Sequence, residues 1–298
     1  MTDITLLDGS IGQELVKRSG DRATPLWSTQ VMIDHPTLVG EVHADYFRAG
    51  ATIASTNSYA LHRNRLERVG LEGELLHLVD TTISQARQAR DANGSGRIAG
   101  VLGPLLASYR PDLHPPVDLA KERYGELVAR MRDHVDLFLL ETVSSLLEAE
   151  GALLGTEGCG RPVWLALTVK DEDGTHLRSG EDLADIAPLV TRFEPDALLI
   201  NCSRPEAIPA ALDRIKGIGK PFGAYANGFT RISEAFLTEA PTVDALEHRQ
   251  DLGPTAYADH AMGWVAQGAT IVGGCCEVGP DNIAELARRL RAAGHQIV

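Results

Sequence analysis

Aromatic residues are scarce in this chain: Phe, Trp and Tyr together make 5% of its 298 residues. Its interior must be filled chiefly by aliphatic side chains. Cysteine is rare too, with four in all, too few at this length for a disulfide framework. Basic residues are outnumbered, since 28 Lys and Arg face 41 Asp and Glu, a formal net charge of −13. That balance argues against nucleic acid or an anionic membrane as partner. No apolar run is long enough to span a bilayer. The opening Met1-Thr2-Asp3-Ile4-Thr5 lacks the basic-then-apolar pattern of a signal peptide. A cytoplasmic protein with reduced thiols is expected. No repeat, low-complexity tract or linker divides the sequence, so residues 1–298 read as one domain.

What is present is an alternation. Short apolar runs fall at residues 4–9, 51–57, 98–103, 135–141, 163–169, 197–201, 222–226 and 269–273. Stretches of helical character separate them, at 10–18, 36–49, about 71–92, 119–134, 144–154, 183–193, 205–215 and 256–267, with a last one at 281–293. Residues 25–29 and the proline-rich 109–118 read as loops, and 227–255 as a long insertion. Apolar strands each followed by a helix indicate parallel pairing with crossover helices. Eight such units in a chain of this size predict a single-domain (β/α)8 barrel. A doubly wound open sheet is the alternative.

In such a barrel the active site lies at the C-terminal strand ends. The polar residues placed there are Asp8, Thr56, Asn57, Glu141, Thr142, Asn201, Cys202, Cys275 and Cys276. Neighbours on a regular strand point to opposite faces. Adjacent Cys275 and Cys276 therefore serve one site only where the strand ends and the backbone turns. Gly273 and Gly274 are expected to allow that turn. Three thiolates with an open fourth position are the pattern of a catalytic zinc, and soft sulfur ligands favour that metal over magnesium or calcium.

Each of these residues also has a plainer reading. Cysteine is a common small core residue. Asp8 would serve as a turn former ahead of Gly9, and Glu141 as a helix cap. Cys159 precedes the fifth strand, at the opposite barrel end, and reads as structural. The ten histidines show no metal-ligand spacing and read as surface or satisfied core residues. Trp27, Tyr59 and Tyr109 fall in loops near the rim, where packing competes with an aromatic cage for a cation.

Taken together, these motifs resemble the zinc-dependent homocysteine S-methyltransferase family, nearly from end to end. The resemblance rests on Leu7-Asp8-Gly9-Ser10-Ile11-Gly12-Gln13-Glu14-Leu15, Pro25-Leu26-Trp27-Ser28, and the His43 to Tyr59 stretch. It continues through Glu141-Thr142, Asn201-Cys202, Gly273-Gly274-Cys275-Cys276 and the following Pro280. It implies a (β/α)8 barrel and a Zn²⁺ held by Cys202, Cys275 and Cys276, with the homocysteine sulfur in the fourth position. It further implies Asp8 and Glu141 on the homocysteine ammonium, backbone N–H groups near Gly9 on its carboxylate, and Thr142 and Asn57 lining the pocket.

With no cobalamin- or folate-binding module after the barrel, the likeness is to stand-alone enzymes that use a small onium donor. S-methylmethionine is favoured by family analogy over S-adenosylmethionine, betaine or dimethylsulfoniopropionate. Glu277-Val278-Gly279 departs from the Gly-Thr or Arg-Thr usual in the family, which bears on the donor pocket. A zinc-bearing thiol-binding protein without turnover, and methyl transfer through a corrinoid partner, are the competing functions.

Overall fold

In a computed structural model of the protein, the structure describes residues 2–20, 24, 26–237 and 246–298. Pro25 of the expected first loop, and residues 238–245 of the insertion, lie outside the described residues. The strands are β1 (Asp3–Leu6), β2 (Ile53–Ser55), β3 (Arg97–Leu102), β4 (Leu137–Val143), β5 (Val163–Leu167), β6 (Ala197–Asn201), β7 (Phe222–Tyr225), β8 (Ile271–Val272) and β9 (Gln296–Ile297). All pair in parallel in one sheet, ordered β2-β3-β4-β5-β6-β7-β8-β1-β9. Each of the eight expected runs overlaps a strand. β9 was not expected, being two residues with no apolar run to mark it.

The strands read as unbroken apolar runs because both faces are buried. Phe138, Leu140, Leu165, Leu167, Leu198 and Ile200 pack outward with the helices in the main core. Their alternates Leu137, Leu139, Trp164, Ala166, Ala197 and Leu199 form a second, smaller cluster inside the curled sheet. This period of two decides what reaches the mouth. Glu141 continues the inward set of Leu137 and Leu139, and Asn201 that of Leu199.

The closed eight-stranded ring expected from sequence is not formed as a continuous ladder. No ladder joins β1 to β2 among the described residues, and the sheet is a TIM-like parallel curl of nine strands. The reason lies on one edge of β1. β9 pairs there with Asp3 and Ile4, and the Val298 N–H donates to the Ile4 carbonyl at 3.0 Å. Only the upper half of that edge is left for β2. It is bridged by the Thr52 N–H on the Leu6 carbonyl at 2.8 Å and by Ser55, whose N–H donates to Asp8 Oδ2 at 2.6 Å.

Two short helices were not foreseen. Ser28–Asp34 replaces part of the loop expected at 25–29, and Arg63–Glu67 follows β2. The helix expected at 183–193 begins as a 3₁₀ turn, Leu183–Ile186, before Ala187–Phe193. No helix among the described residues is long and apolar enough to cross a membrane.

Candidate metal centre and its pocket

Cys202 follows Asn201, the last residue of β6, and takes a left-handed backbone with φ 47°. That turn redirects a side chain which strict alternation would send outward. Its carbonyl accepts from Thr168 Oγ1 at 3.3 Å and from Arg178 Nη2 at 3.4 Å, which fixes the reversed peptide. The adjacent pair lies beyond β8, which stops at Val272. Cys275 N–H donates to the Ala226 carbonyl at 2.9 Å, and the Cys276 carbonyl accepts from Gly228 N–H at 2.8 Å. Both thiols are thus anchored beside the end of β7.

The two glycines act differently from expectation. Neither has positive φ; the left-handed residue of this turn is Glu277, with φ 65°. Gly273 and Gly274 are needed for space instead. A Cβ on Gly273 would lie 2.5 Å from Leu7 Cβ, and one on Gly274 would lie 2.2 Å from Val278 Cγ1.

The three sulfurs converge. Cys275 Sγ lies 2.7 Å and Cys276 Sγ 3.8 Å from Cys202 Sγ, and all three fall within 4.8 Å of one another. A tetrahedron with ~2.3 Å metal–sulfur bonds has edges of roughly 3.8 Å. The Cys202–Cys276 separation already matches that edge, and Cys275 has to draw back by about an ångström. The donor set is therefore chemically and geometrically suited to a soft divalent ion. No other His, Cys, Asp or Glu cluster of metal-binding geometry occurs among the described residues. Tyr109 donates its hydroxyl to Cys202 Sγ at 3.0 Å. With hydrogen bonds from Cys275, Cys276 and Tyr109, the Cys202 thiol is held well below its usual range, while burial pushes Cys275 up. Cys159 lies apart, buried ahead of β5 with its sulfur 3.3 Å from the Arg161 carbonyl.

A cavity of about 150 Å³ adjoins the sulfurs and is lined by Asp8, Gly9, Asn57, Glu141 and Thr142, the five residues expected on the substrate. Asp8 is buried, and both its oxygens accept from Ser55, one from the N–H and the other from Oγ at 2.7 Å. Glu141 Oε1 accepts from the Tyr225 hydroxyl at 2.9 Å. Burial pushes Asp8 up to about 7 and Glu141 up to about 8, against those hydrogen bonds. Two carboxyls raised by desolvation in one cavity form a site that a cation would stabilise.

Thr142 has φ 60° and sits where the β4–β5 register shifts, between Leu140 and Val143. Its N–H donates to Asn201 Oδ1 and its hydroxyl accepts from Asn201 Nδ2, both at 3.0 Å. Asn57 donates to the Ser28 carbonyl at 3.2 Å, tying the second strand's loop to the first. Gly9 packs against Val278, whose carbonyl would lie 2.1 Å from an added Cβ.

Trp27, Tyr59 and Tyr109 all line this cavity. Trp27 and Tyr59 meet edge to face, with centroids 6.0 Å apart. The face of Tyr109 is already covered by the Arg178 guanidinium at 4.8 Å, so the three do not form an open cage. Among the described residues six non-glycine residues have positive φ; Trp27, Tyr109, Thr142 and Cys202 line the cavity and Glu277 adjoins it. Such conformations cost of order 1–3 kcal/mol each and persist where the surroundings over-determine them.

Sequence reasoning missed the supports: Tyr225 on Glu141, Asn201 on Thr142, Ser55 on Asp8, and Tyr109 on Cys202. The long insertion expected at 227–255 borders the site. Its base packs beside the cavity, with Phe229, Phe236 and Leu246 in the lining and a bridge between Phe229 and His248. Of the histidines, His43 is fully buried with neither ring nitrogen partnered among the described residues, contrary to the satisfied core role expected.

The homocysteine S-methyltransferase family pattern matches residues 5–290 of the chain. A homocysteine S-methyltransferase of Escherichia coli K12 is 32% identical, covering 96% of this chain and 95% of the relative. The Bacillus subtilis 168 homocysteine S-methyltransferase YbgG is 29% identical, covering 97% and 95%. Among solved structures, the metallated form of the Escherichia coli homocysteine methyltransferase MmuM superposes with a TM-score of 0.81 at 31% identity, covering 97% of this chain and 96% of that one.

Proposed function

This chain belongs to the homocysteine S-methyltransferase family, whose reaction moves a methyl group to homocysteine and yields methionine, and from that premise we propose a zinc-dependent enzyme using a small onium donor, S-methylmethionine first among them. Residues 1–298 act as one homocysteine-binding domain, a TIM-like parallel curl whose β1–β2 edge is bridged by Thr52 and Ser55. Cys202, Cys275 and Cys276 are the metal ligands. The observation that carries this reading is their convergence within 4.8 Å beside a cavity lined by buried Asp8 and half-buried Glu141. The cluster needs reduced thiols, in keeping with a cytoplasmic setting.

A zinc ion seated among the three sulfurs would supply a Lewis acid that favours the thiolate form of a fourth sulfur. The rest of the work falls to the chain. Asp8 and Glu141 hold the homocysteine ammonium, which offsets the burial that raises their proton affinity. Ser55 and Tyr225 orient those two carboxyls. Backbone N–H groups at Gly9 and the start of helix Ile11–Ser19 face the homocysteine carboxylate, where a helix N-terminus favours negative charge. Thr142, clamped by Asn201, and Asn57 shape the wall. The homocysteine thiolate then attacks the donor's methyl carbon in line with the leaving group: the new S–CH3 bond forms as the bond to the onium centre breaks, and the donor departs as the neutral thioether. An anion meeting a cation loses charge in that step, so the apolar walls favour it.

Two variants test the assignment in one assay. Cys275→Ser should lose bound metal and at least ~100-fold of turnover while circular dichroism and melting stay near wild type. Glu141→Ala should raise the homocysteine KM by roughly 10- to 100-fold with metal content unchanged. Full metal and normal turnover in the first would overturn the ligand set. An unaltered KM in the second would remove Glu141 from the ammonium site.

A further inference from the structure

Arg65 lines the same cavity as the sulfur cluster and the acid pair, and nothing in the reaction described above uses it. It lies in the short helix Arg63–Glu67, beyond β2. Arg68 and Val69, both exposed, line the cavity beside it, so Arg65 sits toward the mouth while buried Asp8 sits deeper. Its Nη2 donates to the Pro104 carbonyl at 3.0 Å, and its guanidinium lies 5.9 Å from the centroid of the Tyr59 ring. Its Nε is buried and has no hydrogen-bond partner among the described residues. Arg63, two positions earlier, is paired with Glu126. No carboxylate is in hydrogen-bonding or ion-pair contact with Arg65 among the described residues; buried Glu148 acts on it only through longer-range charge.

An arginine cannot shed its proton to escape burial. A half-buried guanidinium left without a carboxylate is costly unless an anion completes it. The planar fork suits a carboxylate in particular. Within the reaction, the homocysteine carboxylate is provided for at Gly9 and the start of the first helix. The anion available to Arg65 is therefore on the other substrate, which enters from the mouth.

We propose that Arg65 is the subsite for a carboxylate on the methyl donor, so that the enzyme selects a zwitterionic onium such as S-methylmethionine over an onium without an acid group. This rests on the onium-donor reading above and narrows it. With the acid end held near the mouth by Arg65, the sulfonium is left to reach the sulfur cluster, with Trp27 and Tyr59 beside its path.

The test compares S-methylmethionine with its carboxyl methyl ester, which keeps the sulfonium and removes the negative charge. Wild type should favour the acid over the ester by roughly 10- to 100-fold in kcat/KM, the worth of one charge-assisted pair. Arg65→Met should collapse that preference toward unity by raising KM for the acid. The homocysteine KM should not move. Calorimetric titration of S-methylmethionine into the protein should show the same weakening without turnover. Equal losses on acid and ester, a preference that survives, or a shifted homocysteine KM would each overturn the proposal. Should Arg65→Met fail to fold, Arg65→Lys decides: the point charge should keep part of the preference, roughly a third to a tenth, and an unchanged preference counts against a forked contact. Wild type that methylates homocysteine from neither compound would remove the onium reading itself, a result distinct from turnover indifferent to Arg65.

Discussion

At the scale of single residues, His43 carries a consequence for stability. It lies on helix Leu38–Ala49 with no exposure, and burial pushes its imidazole down to about 4. A histidine kept neutral costs nothing above its unfolded value near 6.5. As pH falls from there toward about 4 the unfolded chain takes up the proton and the folded one does not, so stability is lost across that window. Asp8 and Glu148, pushed up by burial to about 7, act in the opposite direction, since their cost grows as pH rises. Comparing wild type with His43→Leu cancels those acids. Between pH 7 and 5, urea unfolding should find wild type losing about 2 kcal/mol more than the variant. Equal losses in the two proteins would mean that the imidazole is solvated or partnered.

At the scale of elements, the site depends on where strands stop. The ends of β7 and β8 are tied by one phenol. Tyr257, on helix Pro254–Ala266, donates to the Gly273 carbonyl at 2.6 Å and accepts from Ala226 N–H at 3.1 Å. Those two strand ends carry the peptides on which Cys275 is anchored. Tyr257→Phe should cost about 1–3 kcal/mol, because two buried backbone groups lose a partner. Its metal affinity should fall as well, measured by chelator competition; unchanged affinity would confine the phenol to a structural role.

This is also where the sequence was most and least informative. The eight strands were legible because burial on both faces makes them aliphatic throughout. The sulfur cluster was legible because adjacent cysteines conflict with strand alternation unless the chain turns. The left-handed backbones at Thr142 and Cys202 left no local mark, since neither residue is glycine. The Tyr225–Glu141 and Asn201–Thr142 bonds join residues 84 and 59 positions apart, beyond the reach of any local pattern.

For the molecule as a whole, the β1–β2 seam is the place where the curl is weakest. Thr52 works across it: its N–H and hydroxyl both reach the Leu6 carbonyl, and the hydroxyl also lies 2.7 Å from the Val298 carbonyl. Thr52→Val keeps the shape and the main-chain bond but removes the hydroxyl. A loss of roughly 1–2 kcal/mol is expected in thermal or urea unfolding, with homocysteine KM unaltered, because Ser55 and Asp8 remain in place. A change in KM without a change in stability would move the seam from scaffold to site. The acid pair straddles this architecture, with Asp8 beyond β1 and Glu141 on β4, so the curl itself sets their spacing.

Cys202 and Cys275 stand 73 positions apart along the chain. An ion gripping both would therefore also be a staple, shortening the free contour of the denatured polymer much as a covalent cross-link does. For a span of this length the chain-entropy picture puts that at on the order of 4 kcal/mol. Metal starvation would then thin the pool of folded copies as well as silence those that remain.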